Sequence, residues 1–272
     1  MTHARVPSPD PAPRAADLRA PSDWHAIDLL SDLHLHAGLP HTAAAFRDHL
    51  RHTPAQAVLI LGDLFEAWVG DDAAEEGFER DVGRWLAEAA RTRWIGFMAG
   101  NRDFLVGERF LGACGVHALP DPTALRAFGR CYLLTHGDAL CLDDVDYQRF
   151  RAEVRSDAWR TRFLAQPLAA RRQIAAQLRA ASEDRKRRLG PEAYADVDHG
   201  AARAWANAAG ADALIHGHTH RPHDHPLDEV RQRHVLSDWD LDAEHAGHPR
   251  RAQVLRLSAA GVQRIPLVEG QA

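Results

Sequence analysis

Five short apolar runs, each ending abruptly in polar side chains, constrain most strongly what this chain can fold into. The runs are AIDLL, AVLIL, WIGFMA, CYLLT and ALI, which begin at Ala26, Ala57, Trp94, Cys131 and Ala213. Each run is too short for a helix, and the Gly and Asp residues around it are typical of the ends of a buried strand. Helical patterns lie between the early runs, over 42–51 and 78–91. The alternation predicts an α/β fold whose polar residues lie on loops at the strand ends.

The two ends of the chain have a different character. Residues 1–22 contain five prolines and few large apolar residues, which predicts a disordered tail. Near the other end, the runs HVLSDW, QVLRL and VQRIPL, with a turn over 258–261, indicate antiparallel strands that close a second sheet. We therefore expect one domain over 23–272.

A basic helical segment interrupts the strand pattern from about 144 to 196. Between Arg151 and Gly190 the chain carries 11 Lys and Arg against 4 Asp and Glu, although its overall net charge is −5. A basic insert in an acidic chain indicates an anionic ligand or an anionic surface. A solvated helical face would give the same charge run, and charge alone leaves both readings open.

The sequence predicts a cytosolic protein without a membrane anchor. No apolar run approaches the roughly 18–20 residues that span a bilayer, and no secretory signal follows the first basic residues. The three cysteines, Cys114, Cys131 and Cys141, are odd in number and lack C-x-x-C spacing. This usage suits a reducing compartment better than a disulfide framework.

Seven oxygen and nitrogen donors follow the five apolar runs. They are Asp32, His34, Asp63, Asn101, His136, His216 and His218. Residues two apart in an extended chain face the same side, so the pairs D-x-H and H-x-H would each aim both side chains at one point. Seven donors exceed what one ion needs if it keeps room for water, and they suit two ions bridged by a carboxylate.

This donor set predicts hydrolysis of a phosphate ester or anhydride. Mixed His, Asp and Asn donors favour manganese, iron(II) or zinc over a thiolate site. Two such ions roughly 3.5–4 Å apart activate water and bind phosphate oxygens. Each motif alone has a plainer reading: GD and GNRD occur in turns, and HGHTH could form a single zinc site or a surface cluster. Only all five motifs, in order and each after an apolar run, favour the dinuclear interpretation.

The order D-x-H, GD, GNRD, H and GHxH resembles the calcineurin-like metallophosphoesterases. Longer stretches, GDLFEAWVGDD, GNRDFLVGERF, LLTHGDALCLDDVDYQRFR and LIHGHTHRP, resemble the UDP-2,3-diacylglucosamine hydrolases of lipid A biosynthesis over about 25–266. The resemblance implies a four-layer α/β/β/α sandwich with two mixed sheets and a helical cap insert over about 144–196. It also implies cleavage of the pyrophosphate of UDP-2,3-diacylglucosamine to UMP and 2,3-diacylglucosamine 1-phosphate, with manganese as the metal.

By similarity, one ion would be held by Asp32, His34, Asp63 and His218, and the other by Asp63, Asn101, His136 and His216. Asp63 would bridge the two ions, and Asp63 and His136 would take part in catalysis through them. The expected nucleophile is a metal-bound water. Arg102, beside Asn101, would pair with phosphate oxygens during catalysis.

The resemblance also implies contacts to the substrate and support for the ligands. The implied substrate contacts are Asn101, Arg102, Asp144, Tyr147, Ser182, Lys186, Arg188 or Leu189, and His216. The stretch EDRKRR departs from the family pattern, which leaves the contacts from Lys186 to Leu189 open. Asp138 would orient a ligand histidine. His220 would be structural or stand behind the ligands, and would not bind metal.

Three further interpretations concern partners. The basic face of the cap would meet anionic lipid headgroups, giving peripheral association with the cytoplasmic face of the inner membrane of a Gram-negative bacterium. A general nucleotide pyrophosphatase or phosphodiesterase would use the same donors, but would have no evident use for a long amphipathic cap. A non-enzymatic binding protein should have lost donors, and nucleic acid is not expected because no aromatic and basic residues interleave.

Overall fold

Strands and helices alternate along the chain, as the sequence predicts. The computed structural model describes residues 12–189, 195–243 and 250–268, without the side chains of 182, 183 and 185–189. Its strands are β1 (Ala16–Arg19), β2 (Ala26–Leu30), β3 (Ala57–Leu61), β4 (Trp94–Met98), β5 (His117–Leu119), β6 (Thr123–Ala127), β7 (Arg130–Leu134), β8 (Ala213–His216), β9 (His223–Pro226), β10 (Gln232–Val235), β11 (Gln253–Ser258) and β12 (Gly261–Pro266). Its α-helices are α1 (Pro40–His52), α2 (Gly77–Ala90), α3 (Glu108–Cys114), α4 (Val145–Val154), α5 (Asp157–Leu164), α6 (Leu168–Leu189) and α7 (His199–Ala209).

The described strands form two mixed sheets of six strands each. One sheet has the order β12-β11-β2-β3-β4-β5, and the other has the order β1-β6-β7-β8-β10-β9. The first is parallel from β2 to β5, and the second is parallel from β7 through β8 to β10. The carboxyl ends of neighbouring parallel strands lie at one sheet edge, which is where α/β proteins build their sites.

Buried side chains divide the fold into four layers. Between the sheets, Leu29 and Leu59 of the first pack in one cluster with Tyr132 and Ile215 of the second. Helices α1, α2 and α3 cover the outer face of the first sheet. Helix α7 covers the outer face of the second sheet. The predicted α/β/β/α sandwich with two mixed sheets is confirmed.

The C-terminal strands differ from the prediction. The run HVLSDW contributes β10, which pairs parallel to β8, while β11 and β12 form a hairpin on the edge strand β2 of the other sheet. The three runs therefore do not close one sheet together. A sequence pattern identifies a strand, but the partner is decided by long-range packing that leaves no local mark.

The predicted disordered tail is corrected over part of its length. Residues 1–11 lie outside the described residues, but Ala16–Arg19 form β1, parallel to β6. Pairing through the main chain requires few apolar side chains. The segment is also held by an ion pair from Arg126 to Asp17 at 2.8 Å and by Leu18, which packs against the core between the sheets.

Strand β2 carries a buried carboxylate at its middle residue. Asp28 is fully buried and accepts hydrogen bonds from Arg256 Nε at 2.7 Å and Thr53 Oγ1 at 2.5 Å, with His49 Nε2 at 3.2 Å. Burial by itself raises the pKa of Asp28, but Arg256, His49 and Thr53 outweigh it and lower the pKa to about 2. A charge at this depth persists because it is paired.

Helices α4, α5 and α6 fall in the predicted cap segment. Phe163 is buried, and Trp159, Leu168 and Ile174 pack against the same core, as expected for apolar residues at helical spacing. None of the described helices is long and apolar enough to cross a bilayer.

Candidate dinuclear metal site

Six of the seven predicted donors meet where five strands end. Asp32 follows β2, Asp63 follows β3, Asn101 follows β4, His136 follows β7 and His218 follows β8. Asp32 and His136 are fully buried, and Asp63 is 2% exposed. Strands of both sheets therefore supply side chains to one point, as the sequence predicts.

Asp63 lies at the centre, with its two carboxylate oxygens directed to different histidines. Its Oδ2 is 3.9 Å from His34 Nε2, and its Oδ1 is 3.7 Å from His136 Nε2. Asp32, Asp63 and His136 present ligand atoms that all lie within 4.8 Å of one another. One carboxylate thus joins two groups of donors, the arrangement expected of a bridging ligand.

The first group consists of Asp32, His34 and His220, whose ligand atoms also lie within 4.8 Å of one another. His220 Nε2 is 3.2 Å from His34 Nε2 and 3.4 Å from Asp32 Oδ1. The prediction that His220 stands outside the ligand set is therefore at odds with the structure. Its ring occupies the place beside Asp32 and His34 that the prediction gave to His218.

The second group is organised by Asn101. Its Oδ1 lies 2.9 Å from His136 Nε2 and 2.8 Å from His218 Nδ1. The rings of His136 and His218 are 5.2 Å apart. His218 therefore joins Asn101 and His136, in the position predicted for His216.

His216 is not brought to either group. It is the last residue of β8 and is fully buried, and its Nδ1 lies 2.8 Å from the carbonyl oxygen of Gly217. Burial and the nearby Arg233 lower the pKa of His216 to about 3, whereas Asp196 raises it. Its Nε2 has no hydrogen-bond partner among the described residues, so no described hydrogen bond joins its ring to Asp32, Asp63 or Asn101. The geometry therefore favours His218 and His220 over His216 as ligands, and the substrate contact of His216 stays a prediction.

The error has a backbone cause. The prediction treats the histidine motif as one extended strand in which alternate residues share a face. The strand ends at His216, and both His218 and His220 have positive φ, at 66° and 53°. Alternate residues do not share a face where the backbone is left-handed. The side chains of His216, His218 and His220 therefore point in different directions.

Left-handed backbone is concentrated in this site. Six described non-glycine residues have positive φ, and Phe128 is the only one of them outside the site; the others are Asp32, His34, Asp63, His218 and His220. Such conformations cost about 1–2 kcal/mol for a residue with a Cβ. Strained residues persist where the surroundings hold them in place, and they cluster at functional sites.

Two glycines let the main chain approach the ligand carboxylates. A Cβ on Gly100 would overlap the Asp63 carboxylate, and a Cβ on Gly217 would overlap that of Asp32. The GN and GH motifs thus need glycine for space beside the ligands.

A hydrogen bond orients His136, and a carboxylate lies beside the second ring nitrogen of both His34 and His220; the sequence did not reveal these partners. His34 Nδ1 is 3.1 Å from Glu66 Oε2, and His136 Nδ1 is 2.8 Å from the carbonyl oxygen of Leu61. His220 Nδ1 is 3.6 Å from Asp238 Oδ2. Fixing one ring nitrogen sets which nitrogen is presented to a metal. Glu66 lies in the quoted run GDLFEAWVGDD, but only the fold brings it to His34.

Asp138 makes no described hydrogen bond to a ligand histidine, although it was predicted to orient one. Its Oδ2 accepts hydrogen bonds from Tyr147 Oη at 2.7 Å and Arg151 Nε at 2.8 Å, both on helix α4. Arg155 Nη2 is 3.4 Å away. The carboxylate therefore attaches the cap to the sheet edge.

The last residue of the GNRD motif holds two ligand loops together. Asp103 is fully buried, and its carboxylate accepts hydrogen bonds from the main-chain N–H groups of Gly100 at 2.8 Å and Leu64 at 2.7 Å. Burial, together with the charge of Asp63, raises the pKa of Asp103 to about 7. The donor loops after β3 and β4 are thereby fixed to each other.

Two arginines stand over the site beside Glu66. Arg102 Nη1 is 3.8 Å from Glu66 Oε1, and Arg179 Nε, from helix α6, is 2.8 Å from the same atom. The main-chain N–H of Arg102 donates to Asp63 Oδ1 at 2.8 Å. Arg102 thus lies beside the donor carboxylates while its pairing with phosphate stays a prediction, and Arg179 is a cap residue that sequence reasoning missed.

The remaining predicted substrate contacts lie on the cap. Asp144 caps α4, accepting a hydrogen bond from the main-chain N–H of Tyr147 at 3.1 Å. The Tyr147 ring is 5.9 Å from that of His218, and its hydroxyl donates to Asp138. Four predicted contacts on α6 have side chains that lie outside the described residues: Ser182, Lys186, Arg188 and Leu189.

The donor set fits divalent cations. Asp32 Oδ1 is buried and has no hydrogen-bond partner among the described residues. Burial alone would lower the pKa of His136, but Asp63, Asp32 and Asp138 raise it to about 9. The buried carboxylates thus stabilise positive charge at this point, and the neutral nitrogen and oxygen donors around them suit a metal ion.

Comparisons with known proteins agree with this chemistry. A sequence profile described as calcineurin-like phosphoesterase matches residues 25–222. The chain is 45% identical to the UDP-2,3-diacylglucosamine hydrolase of Ralstonia nicotianae, over 85% of this chain and 90% of that protein. It is 42% identical to the protein of the same name from Chromobacterium violaceum, over 89% of this chain and 99% of that protein.

Solved structures resemble the chain more distantly. Vacuolar Protein Sorting 29 from Cryptosporidium parvum is 15% identical, with a TM-score of 0.47 over 91% of this chain and 94% of that chain. Yfce, a phosphoesterase from E. coli, is 16% identical, with a TM-score of 0.45 over 90% and 95% of the two chains.

Proposed function

The chain belongs to the calcineurin-like phosphoesterases and, within them, to the UDP-2,3-diacylglucosamine hydrolases, and on this basis we propose that it cleaves the pyrophosphate of UDP-2,3-diacylglucosamine. The products would be UMP and 2,3-diacylglucosamine 1-phosphate, in the synthesis of lipid A. The observation that carries the proposal is the Asp63 carboxylate, whose two oxygens face His34 and His136 respectively. A shared carboxylate between two donor groups is what a two-metal phosphoryl hydrolase requires.

Two metal positions follow from the donor groups. Asp32, His34, Asp63 and His220 would hold one ion, and Asp63, Asn101, His136 and His218 the other. Manganese is the proposed ion on the strength of the family resemblance, and the mixed donor set suits it together with iron(II) and zinc. When bound, the ions would supply a water activated at neutral pH and positive charge for the phosphate oxygens.

The protein's own side chains would position the substrate. Arg102 and Arg179 would leave Glu66 for the pyrophosphate oxygens, because a guanidinium pairs with phosphate in a fork of two hydrogen bonds. Glu66 would continue to hold His34 Nδ1 and so keep Nε2 directed at the metal position. Asp144 and the predicted contacts on α6 remain candidates for the sugar and its acyl amides.

The cap supports a lipid-linked substrate and contact with a membrane. Of the six exposed large apolar side chains among the described residues, only Val230 lies outside the cap and its entry; the others are Leu142, Val145, Phe150, Leu164 and Leu178. The basic charge of the same segment suits anionic headgroups. We therefore propose peripheral association with the cytoplasmic face of the inner membrane.

Product analysis tests the proposed reaction. The purified chain is incubated with UDP-2,3-diacylglucosamine and, separately, with UDP, in Mn²⁺, after chelation, and after Mn²⁺ is restored. We expect UMP from the lipid substrate only when Mn²⁺ is present, at a rate far above that with UDP. Equal rates on both substrates would support a general nucleotide pyrophosphatase, and turnover that survives chelation would exclude the metal mechanism.

Liposome flotation tests the membrane contact. The chain should float with vesicles containing an anionic phospholipid, and added salt should weaken this binding because exposed charges are screened. Vesicles of neutral lipid are the control. Equal recovery with the two lipids, or binding that salt leaves unchanged, would argue against the electrostatic contact.

A further inference from the structure

We propose that Arg155 is a positioning residue that ties the cap to the metal-binding loop and thereby fixes Asn101. The inference rests on the proposed function, in which Asn101 is a metal ligand. Arg155 follows helix α4, and it touches neither the donor groups nor the arginines beside Glu66 in any described hydrogen bond. Its action would therefore pass through the backbone of the loop 100–104.

Arg155 contacts this loop at both ends. Its Nη2 donates to the carbonyl oxygen of Gly100 at 2.9 Å, and its guanidinium carbon lies 5.7 Å from the centre of the Phe104 ring. Gly100 immediately precedes Asn101. Since the N–H of Gly100 donates to Asp103 at 2.8 Å, both main-chain polar groups of Gly100 are held by side chains.

The same guanidinium nitrogen also faces Asp138. This carboxylate is fully buried, and Arg155 Nη2 lies 3.4 Å from its Oδ2. A buried carboxylate that loses a cationic partner is strongly destabilised, so the pair resists separation. Arg155 thus sits between a fixed anion and the loop, and it transmits the position of the cap to Gly100.

Removing Arg155 would free the Gly100 carbonyl and the Phe104 face together. Asn101 would then lose part of the restraint that keeps its Oδ1 between His136 and His218. Partners that orient ligands from behind typically affect metal affinity by about 10- to 100-fold. We therefore expect weaker retention of one metal, even without substrate.

Arg151, four residues earlier in helix α4, supplies a matched control. It pairs with the same Asp138 oxygen, at 2.8 Å through Nε, and its side chain has the same 24% exposure as that of Arg155. Its described hydrogen bonds do not reach the Gly100 loop. A variant of Arg151 therefore weakens the attachment to Asp138 and leaves the loop contact in place.

The rate of metal release distinguishes a positioning role of Arg155 from a merely structural role in attaching the cap. The proteins compared are wild type, Arg155→Gln and Arg151→Gln. Each is loaded with Mn²⁺, separated from excess metal and transferred into a chelator. Atomic absorption then measures the Mn²⁺ remaining per chain as a function of time. We expect Arg155→Gln to release one of two ions roughly tenfold faster than wild type, and Arg151→Gln to remain within about twofold of wild type. If Arg155→Gln does not fold, Arg155→Lys and Arg151→Lys give the same comparison.

The possible results distinguish failure of the positioning role from failure of the proposed function. Equal release from the Arg155 and Arg151 variants would overturn the positioning role while leaving the proposed function intact. Wild type that retains no Mn²⁺ would overturn the proposed function, and the inference with it. Faster release from the Arg155 variant alone supports the role, because a merely structural contribution to cap attachment would affect both variants.

Discussion

The Nε2 atoms of His34 and His220 lie 3.2 Å apart, although 186 positions of sequence separate the two residues. Asp32 lies beside both. This contact makes His220, rather than His216, the last donor of the first metal group.

Substituting the two histidines separately tests this placement. His220→Ala should lose one of two bound ions and reduce turnover by roughly a hundredfold or more, because a ligand matters at least as much as the groups behind it. His216→Ala should retain both ions, although the loss of a fully buried side chain should lower the free energy of unfolding. Metal content and turnover are measured on both variants. Loss of metal from His216→Ala with full retention by His220→Ala would restore the sequence-based assignment.

Asp63→Asn tests the bridging carboxylate. Asparagine tolerates the left-handed φ of 53° at this position, so the variant removes charge with little change in backbone preference. Turnover should be abolished and both ions should bind more weakly, because one side chain serves both. Isothermal titration calorimetry with the metal measures the affinities of the two sites. A near-normal rate in this variant would exclude the dinuclear arrangement.

Arg102→Ala tests the assignment to substrate. The main-chain N–H that contacts Asp63 is retained in this variant, so metal content should remain at the wild-type level. The value of kcat/KM should fall by roughly tenfold or more, because a charge-assisted pair with phosphate is lost. Arg109→Ala removes an exposed arginine that pairs with Glu75, and it should leave both properties unchanged. Loss of metal from Arg102→Ala would show that its role lies in the metal site.

Asp28→Asn tests the buried ion cluster in strand β2. The pKa of Asp28 falls from 3.8 to about 2 in the folded chain, which corresponds to about 2 kcal/mol of stability. The lowered pKa means that this contribution is fully present above about pH 4 and is lost as the pH falls through about 2. Urea unfolding should show a deficit for Asp28→Asn near pH 7 that narrows below pH 4. A deficit independent of pH would assign the effect to packing.

Much of the fold could be predicted from local pattern. The runs at Ala26, Ala57 and Trp94 became parallel neighbours, because buried strands in an α/β fold need apolar residues on both faces. The partners of the C-terminal strands could not be predicted this way. Whether a strand joins one sheet edge or another depends on contacts between distant segments.

The site was predictable in its residue types and less so in its geometry. The pattern identifies Asp32, Asp63, Asn101 and His136 because each lies two or three residues past the end of a strand. The histidine motif was assigned by alternation, which fails once His218 adopts a left-handed φ. Arg179, Glu66 and Asp238 carry no local signal, and only the fold brings them to the donors.

The left-handed residues of the site also bear on how this sequence can change over time. Selection for stability alone would favour glycine or asparagine at Asp32, Asp63 and His220, where the backbone would then relax. Selection excludes those substitutions as long as the side chains are needed as metal ligands. The chain is therefore less stable than its fold would allow. In a descendant that no longer needs the activity, glycine and asparagine would replace these residues first. Such substitutions would therefore indicate that the activity has been lost.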